Sequence, residues 1–106
     1  MSQIAVTIED TRTGTVETRY VDNLEARCSP ETGIVIGSAG DCDVVLESPD
    51  VCAHHARWYP GGHHRFVILL DEDAVMTNFR GDPYSTGETV RVDRRPFRIG
   101  PFILDI

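Results

Sequence analysis

Residues 34–62 read IVIGSAGDCDVVLESPDVCAHHARWYPGG, and most of what the chain can be turns on them. Cys52 stands three residues before His55, His54 and His55 are adjacent, and a second pair, His63 and His64, follows the glycines. Such a grouping invites a metal site, a cysteine–histidine nucleophile, or a purely structural explanation. Working outward, Gly33 to Ile36 and Val44 to Leu46 are short apolar runs. His54 to Tyr59 and His63 to Leu70 read as two strands joined by a Pro60-Gly61-Gly62 turn.

Before that stretch, Ile4, Val6 and Ile8 alternate with polar residues at the period of a half-buried strand. Thr11 to Gly14 reads as a turn into a strand over Thr15 to Val21. After it, Val75 to Asn78, Glu88 to Val92, Pro96 to Ile99 and Phe102 to Ile106 read as further strands. One helical turn is expected near Asn23 to Arg27. Short strands at turn spacings of about 8–12 residues predict an all-β sandwich of about ten to eleven strands.

Composition narrows the functional classes. The chain has 106 residues, which fits one domain, 1–106. Hydrophobic content of 41% and charged content of 25% are those of a globular protein. Every one of the ten bases is arginine, set against 17 acids, for a net charge of −7. That field repels phosphate backbones and anionic lipid, so no nucleic-acid partner is expected. No apolar run is long enough to insert into a membrane, and no signal sequence opens the chain, so a cytoplasmic location is the default. Three cysteines, Cys28, Cys42 and Cys52, with no CxxC spacing, point to reduced thiols. The chain ends directly after its last apolar run, which suggests a domain excised from a longer protein.

Neither chemical reading of the histidines is well supported. Adjacent residues on a strand point to opposite faces. Across a hairpin closed at Pro-Gly-Gly, the two pairs lie about 13–16 Å apart. The four histidines therefore cannot converge on one ion, and no metal or cofactor is expected. A catalytic Cys52 lacks any recognisable orienting group or oxyanion hole. Gly37-Ser38-Ala39-Gly40 has no GKS or GKT and no following helix, so it is no phosphate loop. A metal-binding or enzymatic function centred on Cys52 stays the least favoured reading, and the chain is expected not to be an enzyme.

The stretch resembles the forkhead-associated (FHA) domain. Ile36-Gly37-Ser38 stands for that family's I-G-R. Cys42-Asp43-Val44-Val45-Leu46 stands for its C/N-D-I-x-L strand, and Val51-Cys52-Ala53-His54-His55-Ala56 for V-S-R-x-H-A. Phe97-Arg98-Ile99-Gly100 fits the closing strands. The resemblance implies a β-sandwich of the FHA/SMAD type that recognises phosphothreonine peptides with loops at one end, used in protein–protein interaction and signalling. It makes His55 a structural brace and turns Ala56 and Trp58 into the core. It places Ser38, Cys52, Ala53 and Asn78 at recognition-loop positions.

The sequence departs from the family where phosphate is held. Ser38 replaces the arginine, Cys52 replaces the serine, and the S-T-N-G loop is missing after Leu70-Asp71, where Glu72 and Asp73 follow instead. Serine offers neither the charge nor the fork of arginine, and a thiol donates weakly. The expectation is a protein-interaction or scaffolding module with a lost or strongly weakened phosphothreonine site. The alternative is a phosphopeptide binder with a rearranged site, in which Arg57, Arg65 or Arg27 substitutes for the missing arginine. The partner would be a protein or peptide of unknown identity, and self-association through sheet edges is possible.

Overall fold

The computed structural model describes residues 3–84, 87, 89–93 and 95–106. Alternation of apolar and polar residues builds ten strands among them. In chain order these are β1 (Gln3–Asp10), β2 (Thr15–Asp22), β3 (Ile34–Gly37), β4 (Val44–Val45) and β5 (Ala56–Gly61). Then come β6 (His64–Leu69), β7 (Met76–Asn78), β8 (Thr89–Arg91), β9 (Phe97–Ile99) and β10 (Phe102–Asp105). The expected helical turn is a short 3-10 turn over Leu24–Ala26. Glu88, the expected start of the eighth strand, and Arg94 lie outside the described residues.

The strands form two five-stranded sheets, β2-β1-β10-β9-β7 and β4-β3-β5-β6-β8. All of the named pairings are antiparallel except β3–β4, which run parallel with Ile36 opposite Val44. The first sheet joins the two ends of the chain, with Thr7 opposite Asp105 and Asp10 opposite Phe102. In β1, β6, β9 and β10 the buried residues alternate along the strand, as Ile34 and Ile36 do in β3. Val6 and Ile8, Phe97 and Ile99, and Phe102 and Leu104 from one sheet meet Ile34 and Ile36, Ala56 and Trp58, and Val67 and Leu69 from the other in one apolar core. Two stacked sheets with alternating burial are the expected sandwich.

The turn at Pro60-Gly61-Gly62 is a correction. β5 runs on through Pro60 and Gly61, and the chain reverses at Gly62 and His63, so His64 faces Gly61 and Phe66 faces Tyr59. Gly62 carries the positive φ, 63°, at the first central position of a two-residue hairpin loop. Pro60 is tolerated because β3 pairs with β5 only from Ala56 to Trp58. Beyond that point no ladder on that side needs the missing N–H. His54 and His55 precede β5 rather than opening it.

Candidate recognition surface

Gly37 ends β3 where another strand residue could not. A Cβ there would lie 2.2 Å from the Ala53 carbonyl oxygen, far inside contact distance. Its absence lets the 52–55 segment lie directly against the strand end. The Ser38 N–H donates to the Cys52 carbonyl at 3.0 Å, the Ala39 N–H to the Ala53 carbonyl at 3.1 Å, and the His55 N–H to the Ile36 carbonyl at 2.9 Å. The Leu46 N–H closes the other side onto the Gly37 carbonyl at 2.8 Å. The β3–β4 and β4–β5 loops are thereby laced to one end of the sandwich, with Ser38, Cys52 and Ala53 among them.

His55 is fully buried and sits beneath those loops. Its Nδ1 accepts from the Cys52 N–H at 3.0 Å. Nε2 must then carry the proton, and it donates to the Val75 carbonyl at 2.9 Å. The ring is the neutral tautomer, and burial holds its pKa below the ordinary value, partly offset by the Val75 carbonyl and the Asp71 charge. The Leu70 N–H also reaches the His55 carbonyl at 3.0 Å. One imidazole thus ties the 50–55 loop to the 70–75 loop, and both its nitrogens are spent in doing so.

Cys52 is partly exposed, and its thiol is pushed above the usual thiol range by burial and by the charges of Asp71 and Asp73. The loop bearing those acids is held by its own turn. The Asp73 N–H donates to Asp71 Oδ1 at 2.9 Å, the Ala74 N–H to the Asp71 carbonyl at 3.0 Å, and Ala74 is buried. Burial first, and the two acidic charges second, therefore keep this thiol protonated. A thiolate nucleophile requires the opposite electrostatics.

No protein-family model matches the sequence, and no curated protein matches it closely. Solved structures do match in fold. One is an FHA domain studied for its phosphothreonine-dependent interactions, with TM-score 0.65, 16% identity, and 96% of this chain and 94% of that chain covered. The FHA domain of a Chlamydia trachomatis protein has TM-score 0.65 and 11% identity, with 96% and 95% covered. Mycobacterium tuberculosis EmbR, solved with a low-affinity phosphopeptide, has TM-score 0.68 and 19% identity, covering 95% of this chain and 24% of that one. The fold is that of an FHA domain.

The other residues expected at the site, Asn78 and the three candidate arginines, lie elsewhere in the fold. Asn78 ends β7 and spends its side chain on its own turn. Its Oδ1 accepts from the Arg80 and Asp82 N–H groups at 2.8 and 3.0 Å. Arg27 forms a two-pronged pair with Asp43 at 3.1 and 2.8 Å. Asp43 in turn accepts from the Val35 N–H at 2.9 Å. Arg57 donates to the Pro30 carbonyl at 2.9 Å, away from the laced loops. Arg65 lies opposite Pro60, its guanidinium 6.0 Å from the Trp58 ring. Pro60 is four steps along β5 from Ala56, so Arg65 lies roughly 13 Å along the ladder from the laced loops.

One cluster at this end was missed from sequence. Asp41, Cys42 and His54 bring a carboxylate oxygen, a sulfur and a ring nitrogen within 4.8 Å of one another. In sequence, Cys52 is the cysteine closest to His54 and His55 and so pairs with them. Lacing of the 38–42 and 52–54 segments makes Cys42 the spatial neighbour instead. The only available signal was the I-G motif itself, whose glycine dictates that lacing.

Proposed function

We propose that this chain is a non-enzymatic protein-interaction module of the FHA type that engages its protein or peptide ligand through the laced loop end without needing a phosphate. The observation that carries the reading is the acidic Asp71–Asp73 turn, tied to the Cys52 segment by the Leu70 N–H on the His55 carbonyl and by the His55 ring. A phosphate brings about −1.5 to −2 charge and binds where charge-assisted donors converge. At this end it would meet carboxylates and a thiol. Ser38 offers a hydroxyl in place of a guanidinium. Arg27 is neutralised by Asp43, Arg57 is drawn to Pro30, and Arg65 sits at the far end. Each lost charge-assisted bond costs about 1.5–3 kcal/mol. Two such losses weaken binding by about 10³-fold. The scaffold that presents the loops is intact nonetheless, which favours a retained binding surface over a merely decayed one. Free thiols at Cys28, Cys42 and Cys52 suit a reducing, cytoplasmic setting.

The test is a titration with a degenerate phosphothreonine peptide library beside its unphosphorylated twin, followed by NMR. Equal responses are expected, with any shifts at Ser38, Cys52 and Ala53. Phosphate-dependent binding tighter than about 100 μM would overturn the reading and revive a rearranged phosphate site. Arg57→Ala would be the first variant to make in that case.

A further inference from the structure

We propose that Asp41, Cys42 and His54 form a three-donor site for a zinc-class transition metal ion, with one coordination position open to solvent. This proposal is independent of how the loop end treats phosphate. The His54 Nε2 already lies 3.1 Å from each oxygen of the Asp41 carboxylate. Both side chains are open to water, at 51% and 71% exposure. Cys42 is buried, with its Sγ at the floor of the same cluster. All three donor atoms fall within 4.8 Å of one another. Tetrahedral zinc, with Zn–S near 2.3 Å and Zn–N near 2.0 Å, needs donors about 3.3–3.8 Å apart. The two exposed side chains are free to rotate, and it is their rotation that must close that gap.

The backbone under the donors is already fixed. Asp41 and Cys42 lie in the turn closed by the Cys42 N–H on the Ala39 carbonyl at 3.2 Å. His54 lies on the segment bonded to Ser38 and Ala39. The thiol hydrogen presently donates to the Ala53 carbonyl at 3.1 Å. On binding, that S–H bond breaks, one proton leaves to solvent, and a sulfur–metal bond forms. The Ala53 carbonyl keeps the Ala39 N–H as donor, so no buried acceptor is orphaned. A thiolate, an imidazole and one carboxylate suit zinc or cobalt rather than calcium or magnesium, which take oxygen donors. Three protein donors leave the fourth tetrahedral position to water or to a side chain of a bound partner.

The experiment uses the tag-free full chain under reducing conditions. Zn²⁺ affinity is read by competition with a chromogenic chelator, and Co²⁺ serves as the spectroscopic probe of the sulfur ligand. The expected result is one ion per chain and a thiolate-to-cobalt charge-transfer band. Cys42→Ser should abolish that band. His54→Gln should weaken Zn²⁺ by at least the roughly 10–100-fold that changes outside the ligand set commonly cost. Cys28→Ser, Cys52→Ser and the double variant His63→Gln/His64→Gln should change neither. A band that is absent from the wild type, or that survives Cys42→Ser, overturns the proposal. So does a Zn²⁺ affinity unmoved by His54→Gln, and that exposed position keeps the test valid even if Cys42→Ser fails to fold.

Discussion

His55 shows how much one side chain can carry. Replacing it by alanine orphans the Cys52 N–H and the Val75 carbonyl together. Each unsatisfied buried group costs about 1–3 kcal/mol, so His55→Ala should lose about 2–6 kcal/mol in a urea titration. The same residue sets a pH dependence. Its folded pKa lies below 6.5, so below that value the unfolded chain binds a proton that the folded chain refuses. Its contribution is therefore complete above pH 6.5 and is lost as pH falls from there toward the lower folded value. Asp10 is also depressed, by its Arg12 partner, but acts only at and below its ordinary 3.8. Between about pH 7 and 5 the urea midpoint should fall, and His55→Gln should flatten that slope. An unchanged slope in the variant would deny the buried neutral imidazole. The position of this histidine was legible in sequence only through the motif around it, because nothing local distinguishes it from His54.

Elements explain why the hairpin turn was misread and why the loop end was half legible. Pro60 looked like a strand breaker, and it is not one because its flank is unpaired. Strand periodicity reports faces, not which side of a strand has a neighbour. The lacing of β3 to the 52–55 segment was written in sequence as a single glycine, and its consequence is steric. Gly37→Ala puts a Cβ 2.2 Å from backbone that cannot give way, with the Cys52 carbonyl 3.0 Å off as well. The variant should lose the Ser38 and Ala39 bonds to that segment and destabilise the fold by about 1–3 kcal/mol, the range for overpacking. Hydrogen exchange should show the Ser38 and Ala39 amides opening well before those of β5 and β6. Equal protection in wild type and variant would refute the steric account. The same lacing is why the Asp41, Cys42 and His54 grouping could not be read beforehand, since its members lie on separate loops and meet only once β3 has ended.

At the scale of the whole molecule, the strand count and sandwich class followed from alternation, but the pairing order did not. A period of two says that Val6 and Leu104 face inward and is silent on β1 lying beside β10. That pairing closes the chain's two ends into one sheet, and the two sheets share a single core. Unfolding should therefore be one cooperative event, and the single tryptophan makes this measurable. Trp58 lies in the second sheet at 0% exposure, while Leu104 lies in the first, also at 0%. Leu104→Ala removes a fully buried side chain and should cost about 2–5 kcal/mol. If the core is shared, the Trp58 fluorescence midpoint in urea should fall by the same amount as the far-UV circular dichroism midpoint. A Trp58 transition left in place while the dichroism midpoint falls would mean that the sheets unfold separately. The ends of the chain would then be an appendage to the loop-bearing sheet rather than part of what holds its loops in place.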